Sequence, residues 1–184
     1  MLATCITCGW ATDESYLNRD HELQKLITAM MPEMIGEEVA NIVVDGCGAP
    51  AHAMTLAGLA RGFRAVAMAK AGSPARVVSD AMREYPQMVG GPTRDVSLLM
   101  AGISGLVAKD GAEGVYAAAL PDGRAIALKI ADGANRARPP LMRAALVALG
   151  VDISGVDERA FSSPIYGHGK VVGEVRVIDS LLST

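Results

Sequence analysis

Leu106-Val107-Ala108-Lys109-Asp110-Gly111-Ala112-Glu113-Gly114-Val115-Tyr116-Ala117-Ala118-Ala119-Leu120 holds two apolar runs separated by a turn built on two glycines. Each run is too short for a stable helix and of a length usual for a strand. A third run, Ala125 to Ile130, follows after Pro121-Asp122-Gly123-Arg124, whose proline, aspartate and glycine favour a tight reversal. Three consecutive strands joined by short turns predict an antiparallel meander. Lys109 lies at the end of the first strand, beside Gly111 and Gly114, with Glu113 between the glycines as a potential partner. A strand-edge lysine next to a glycine-rich turn can aim a cation into a cleft where substrate charge develops; taken alone it is an ordinary solvated lysine.

Helical signals flank this meander. Met1 to Gly9 is apolar enough for the tail of a buried helix. Asp20 is placed to cap a helix to Ile35, with Leu23, Leu26, Ile27, Met30 and Met34 at helical spacing and Gly36 as its stop. Asn41 to Val44 is a β-branched run that ends in the turn Asp45-Gly46-Cys47-Gly48-Ala49-Pro50. Met54 to Ala69 reads as a helix, and Ser73-Pro74 opens another to about Tyr85. Thr93 or Asp95 starts a helix after the Val89-Gly90-Gly91-Pro92 break, Arg138 to Leu149 forms one stopped by Gly150, and Val171 to Ile178 is a final strand. This order predicts an α+β fold with helices packed on the faces of an antiparallel sheet, in one domain spanning 1–184.

Composition narrows the function classes. The chain has 184 residues, a formal net charge of −3 and scattered basic residues, which argues against a nucleic-acid partner or an anionic membrane surface. Aromatic residues make up 4%, too few for base-stacking platforms. Three cysteines, with no leader segment and no apolar run of membrane-spanning length, fit a soluble, cytoplasmic, reduced protein whose partner is a small molecule or a second copy of itself.

Other candidate groups carry bland readings beside functional ones. Cys47, flanked by two glycines, is a small buried hydrophobe, a thiolate ligand or a nucleophile. Cys5 and Cys8 form Cys-x-x-Cys without the second pair of a structural zinc site. His21, His52 and His168 are isolated and read as surface or capping residues. Arg94 either pairs with Asp95 or presents its guanidinium to a carboxylate substrate. No serine or threonine has a lysine three residues later, which closes the Ser-x-x-Lys route to an activated hydroxyl.

Four motifs, in order, carry a family resemblance: Asp45-Gly46-Cys47-Gly48-Ala49-Pro50, Met88-Val89-Gly90-Gly91 with Arg94-Asp95, Lys109-Asp110-Gly111-Ala112-Glu113-Gly114-Val115-Tyr116, and Ala127-Leu128-Lys129-Ile130-Ala131-Asp132-Gly133. From Met1 to about Asp179 the chain resembles the rhizobial-type asparaginase II family. The resemblance implies a serine β-lactamase/glutaminase-like fold and hydrolysis of L-asparagine to L-aspartate and ammonia with no required cofactor. It implies an electrostatic or proton-transfer role for Lys109 as the catalytic cation, and a Cys47 near the active site that can bind zinc together with an upstream Cys-x-Gly-Lys element; the reading adopted on these residues adds Arg94, Glu113, Gly111 and Asp45 around the substrate and expects a homodimer. Lys109-Asp110-Gly111 is similar to the family's Lys-Thr-Gly strand, with Asp110 in place of the threonine. Relatives carry their Ser-x-x-Lys pair upstream, so the expectation is an N-terminally incomplete enzyme that is inactive alone; the alternative is a non-catalytic scaffold that associates with another chain.

Overall fold

A computed structural model of the chain describes residues 1–178. The fold is α+β: among the described residues, seven α-helices accompany three small antiparallel sheets. The chain divides into two compact units, Met1–Gly62 and Phe63–Thr184.

In the first unit, α1 (Leu2–Cys8) ends where Gly9 takes a left-handed conformation and returns its N–H to the helix. Only Cys5 of this helix is buried, so the expected buried helix is a largely exposed one, and Cys8 faces outward. α2 (Glu22–Ile35) is capped by His21 rather than Asp20: the imidazole Nδ1 accepts the Leu23 N–H at 3.1 Å. The apolar spacing of α2 overstates its core face, since Leu23 and Ile35 are buried but Leu26 and Met30 are exposed. β1 (Asn41–Val44) pairs with β2 (Pro50–Ala53), a strand without β-branched residues that the sequence does not predict. The turn at 45–49 reverses the chain, so β2 is a strand through its ladder to β1 and not through its own propensity. α3 (Leu56–Ala67), whose residues from Phe63 on belong to the second unit, begins where the Thr55 hydroxyl accepts the Gly58 N–H at 2.9 Å, with Glu37 in turn accepting from Thr55.

In the second unit, the Ser73 hydroxyl caps α4 (Pro74–Glu84) by accepting the Arg76 N–H, with Pro74 in the first turn as its fixed φ favours. A short α5 (Pro86–Gly90) fills the expected break, and α6 (Asp95–Gly102) follows. β3 (Val107–Asp110), β4 (Val115–Ala119) and β5 (Ala125–Lys129) form the predicted meander in the order β3-β4-β5. Both faces are covered. Ala108, Tyr116, Ala118 and Leu128 pack with Val96 and Leu99 of α6 and with Met142 and Leu146 of α7 (Arg138–Ala148). Val107 and Ala119, on the opposite face, pack with Ala67, Phe63 and Met82. Fully burying a side chain such as Leu99 or Leu146 contributes about 1.5–3 kcal/mol, which makes this two-sided sheet the stabilising centre of the unit. The final strand is shorter than expected: β7 (Lys170–Glu174) pairs with β6 (Pro164–Gly167), which the sequence reading did not propose.

Candidate functional site

The turn from β3 to β4 requires its glycine. Glu113 and Gly114 both have positive φ, and a Cβ on Gly114 would come within 2.7 Å of the Ile130 Cβ. The Gly111 N–H donates to the Val115 carbonyl at 2.9 Å, closing the turn and fixing the end of β3. This local geometry holds Lys109 and Asp110 at a strand end beside α6 and α7.

Four charged groups meet there. Asp110 faces inward, directly across from Tyr116 on β4, with its side chain only 3% exposed. Its Oδ1 accepts from the Lys109 Nζ at 3.0 Å, and the same ammonium donates to the Asp110 carbonyl at 2.6 Å. Its Oδ2 accepts from Arg94 and, at 3.1 Å, from the Arg138 Nη1. Arg138, 6% exposed, also donates to the Gly111 carbonyl at 3.2 Å, and its guanidinium carbon lies 5.5 Å from the Tyr116 ring centroid. Arg94 and Lys109 are about half exposed, at 52% and 47%.

The electrostatics of the two aspartates are opposed. Burial pushes the Asp110 carboxyl up, but the hydrogen bond and charge of Lys109, with Arg94 and Arg138, outweigh it and hold the group below the ordinary carboxylate value. Asp95, at the start of α6, is raised mainly by burial, against the lowering effect of the Val96 N–H and the arginines. Burial also raises the Tyr116 phenol, so it is neutral at physiological pH. Among the described residues, three buried side-chain polar atoms lack a hydrogen-bond partner: Asp95 Oδ2, Tyr116 Oη and Arg138 Nε. All three belong to this same group of residues, and unsatisfied buried polar atoms are rare outside sites with a task.

The structure thus brings Arg94 and Lys109 together through Asp110, while the carbonyl of the adjoining Gly111 is taken by Arg138. Lys109 is paired with Asp110, not with Glu113. The Glu113 carbonyl accepts instead from the Lys129 ammonium, which also reaches the Ile130 carbonyl at 2.7 Å. Arg94 pairs with Asp110 and not with its neighbour Asp95. Sequence reasoning missed Arg138: it entered the reading only as the start of α7, and its one signal was an arginine in a first helical turn, where the dipole disfavours a cation.

Asp45 and Cys47 lie in the other compact unit, on the exposed β1–β2 turn. The Asp45 carboxylate is held low by hydrogen bonds from Cys47 and Gly46. Cys47 is exposed, so its reading as a buried hydrophobe does not stand. Among the described residues no group of three or more His, Cys, Asp or Glu side chains is placed to hold a metal ion. One thiol and one carboxylate fall short of the four ligands of a closed zinc site, so these residues alone do not fit that metal. In the same unit the Thr28 Oγ1 and His52 Nε2 are 2.8 Å apart, a hydroxyl–imidazole contact that isolated positions in sequence did not reveal. It tethers α2 to β2.

Among the described residues no helix is long and apolar enough to cross a membrane. No curated protein matches the chain at a significant level. The family model described as L-asparaginase II matches residues 1–177, nearly the whole chain and all of both groups of site residues. With that match, the chain belongs to the L-asparaginase II family.

Proposed function

We propose that the protein is an L-asparaginase-type amidohydrolase chain that binds L-asparagine, whose side-chain amide is cleaved to L-aspartate and ammonia. The observation that carries this reading is the convergence of Lys109 and Arg94, both half-exposed, at the end of β3 in a chain of this family. In the proposed scheme Arg94 attracts the substrate carboxylate, Glu113 and Gly111 line the turn beside it, and Lys109 stabilises the oxygen charge that develops when the amide carbonyl is attacked. Asp45 as a substrate contact and Cys47 as a metal ligand, both on the β1–β2 turn, are separate proposals that rest on the family resemblance alone. A serine β-lactamase/glutaminase-like arrangement would supply the attacking hydroxyl from a Ser-x-x-Lys pair, and these 184 residues contain none. Substrate binding without turnover is therefore the expectation for the chain alone.

Calorimetric titration with L-asparagine, alongside an ammonia-release assay, tests both halves. Binding that weakens about tenfold or more in Arg94→Ala, with ammonia at background, supports the reading. Robust hydrolysis by the 184-residue chain would show that the nucleophile lies within it, and no binding at all would remove the substrate assignment.

The second reading, a non-catalytic scaffold that associates with another chain, here taken as a second copy, is favoured by the β6–β7 hairpin. It presents Ile165, Tyr166, Val171 and Val172 to the exterior, an apolar surface of the kind that drives association. Light scattering that gives a dimer in the parent chain and a monomer in Val172→Lys supports a homodimer through this hairpin; a monomeric parent removes it.

A further inference from the structure

Successive side chains leave a strand on opposite faces, so Lys109 and Asp110 start out pointing apart, one outward and one into the core. The ammonium nevertheless comes back to its neighbour's carboxylate and carbonyl. That path exists only because β3 is an outer strand and Lys109 is one residue from its end, so the side chain can fold around a free edge. An aspartate at 110 is what draws it back.

Asp110 is shared among cations from three places: Lys109 on β3, Arg94 just before α6, and Arg138 at the start of α7. Their roles differ by burial. Arg138 lies over Tyr116 and donates to the Gly111 carbonyl, so it is fixed and sufficient by itself to neutralise the buried carboxylate. Arg94 and Lys109 exceed what that balance needs. Three cations around one ionised carboxylate leave positive charge over, and the two half-exposed cations carry it to the surface.

We propose that Asp110 is a positioning residue: anchored by Arg138, its carboxylate gathers Lys109 and Arg94 into one outward-facing cation pair, in which Arg94 takes the α-carboxylate of an amino-acid substrate and Lys109 faces its side-chain carbonyl. The substrate class rests on the amidohydrolase reading; the positioning does not. Asp110 therefore does not replace a substrate-contacting threonine hydroxyl. It acts through the lysine before it and the arginine across from it.

The test combines lysine side-chain NMR with calorimetric titration of L-aspartate, on the full chain and on Lys109→Ala, Asp110→Asn, Asp110→Asn/Arg138→Gln and the last combined with Lys109→Ala. Asp110→Asn strands the buried Arg138 charge and can fail to fold; the double variant removes both charges and keeps the question answerable. The expected result is a slowly exchanging ammonium signal that belongs to Lys109, absent in Lys109→Ala and lost in the Asp110 variants, whereas any signal from Lys129, which bonds the Glu113 and Ile130 carbonyls, persists in all of them. L-Aspartate binding falls about tenfold or more without Asp110, and adding Lys109→Ala to the double variant costs less than about a further twofold, because the two residues act as a unit. A Lys109 ammonium signal indifferent to the loss of Asp110, or effects that multiply, overturns the positioning role. A parent chain that shows the ordered ammonium but binds neither L-aspartate nor L-asparagine overturns the substrate class alone.

Discussion

Asp95 and Asp110 surround the same buried arginine and respond to it in opposite ways. Asp110 is ionised and gripped; it stabilises the fold above the ordinary carboxylate range, and that contribution is lost as pH falls through its lowered folded value. Asp95 is raised by burial, so its favourable contribution is present at low pH and is lost as pH rises through its raised folded value. Asp95→Asn, which removes the ionisation and keeps the shape, should therefore gain stability relative to the parent chain as pH rises from about 4 to about 7. Urea midpoints measured across that range check the sign; a variant whose deficit grows with pH would show that the Asp95 carboxylate is itself paired. The sequence made half of this site readable. Lys109, Gly111 and Arg94 stood out because glycines and breaks mark turns locally, whereas the Arg138 partnership spans 28 positions and leaves no local pattern.

The meander was legible at the level of elements because three apolar runs with turn residues between them have no alternative local structure. β2 and β6 were not: Pro50-Ala51-His52-Ala53 carries no β-branched residue, and in Pro164-Ile165-Tyr166-Gly167 the two strand formers are hemmed in by a proline and a glycine that mark a turn locally. Helix ends followed propensity more closely, Ser73 before α4 being the clearest case. Gly102, the last residue of α6, shows what propensity cannot see. Alanine is favoured over glycine in a helix by about 1 kcal/mol. A Cβ at 102, however, would lie 2.6 Å from the Val156 Cα and 2.7 Å from the Gly155 carbonyl oxygen, backbone atoms that cannot rotate away. Overpacking of this kind costs about 1–3 kcal/mol, so Gly102→Ala should lower stability despite its better propensity. Thermal or urea unfolding decides between the two effects; a stabilised variant would mean that the 155–156 segment yields freely.

Across the molecule, burial is unequal. The core cluster lies in the second compact unit, while the first holds just three buried apolar side chains, Cys5, Leu23 and Ile35. Strand amides follow the same inequality. β4 is the central strand of its sheet, bonded on both edges, with Tyr116 to Ala119 all buried. β7 has one partner, a register shift against it, and five exposed residues. Local opening ranges from near zero for exposed two-stranded pieces up to the global unfolding free energy for core strands. Hydrogen exchange at neutral pH should therefore leave the amides of Ala117 and Ala118 among the last to exchange, with those of β1, β2 and β7 among the first. The comparison also separates the two functional readings without an activity assay. If β7 exchanges as slowly as β4 at high protein concentration and fast on dilution, a second copy covers the hairpin. If it exchanges fast at every concentration, the apolar face of β6–β7 is open in solution, and the cation pair at the end of β3 is left as the feature through which this chain meets its partner.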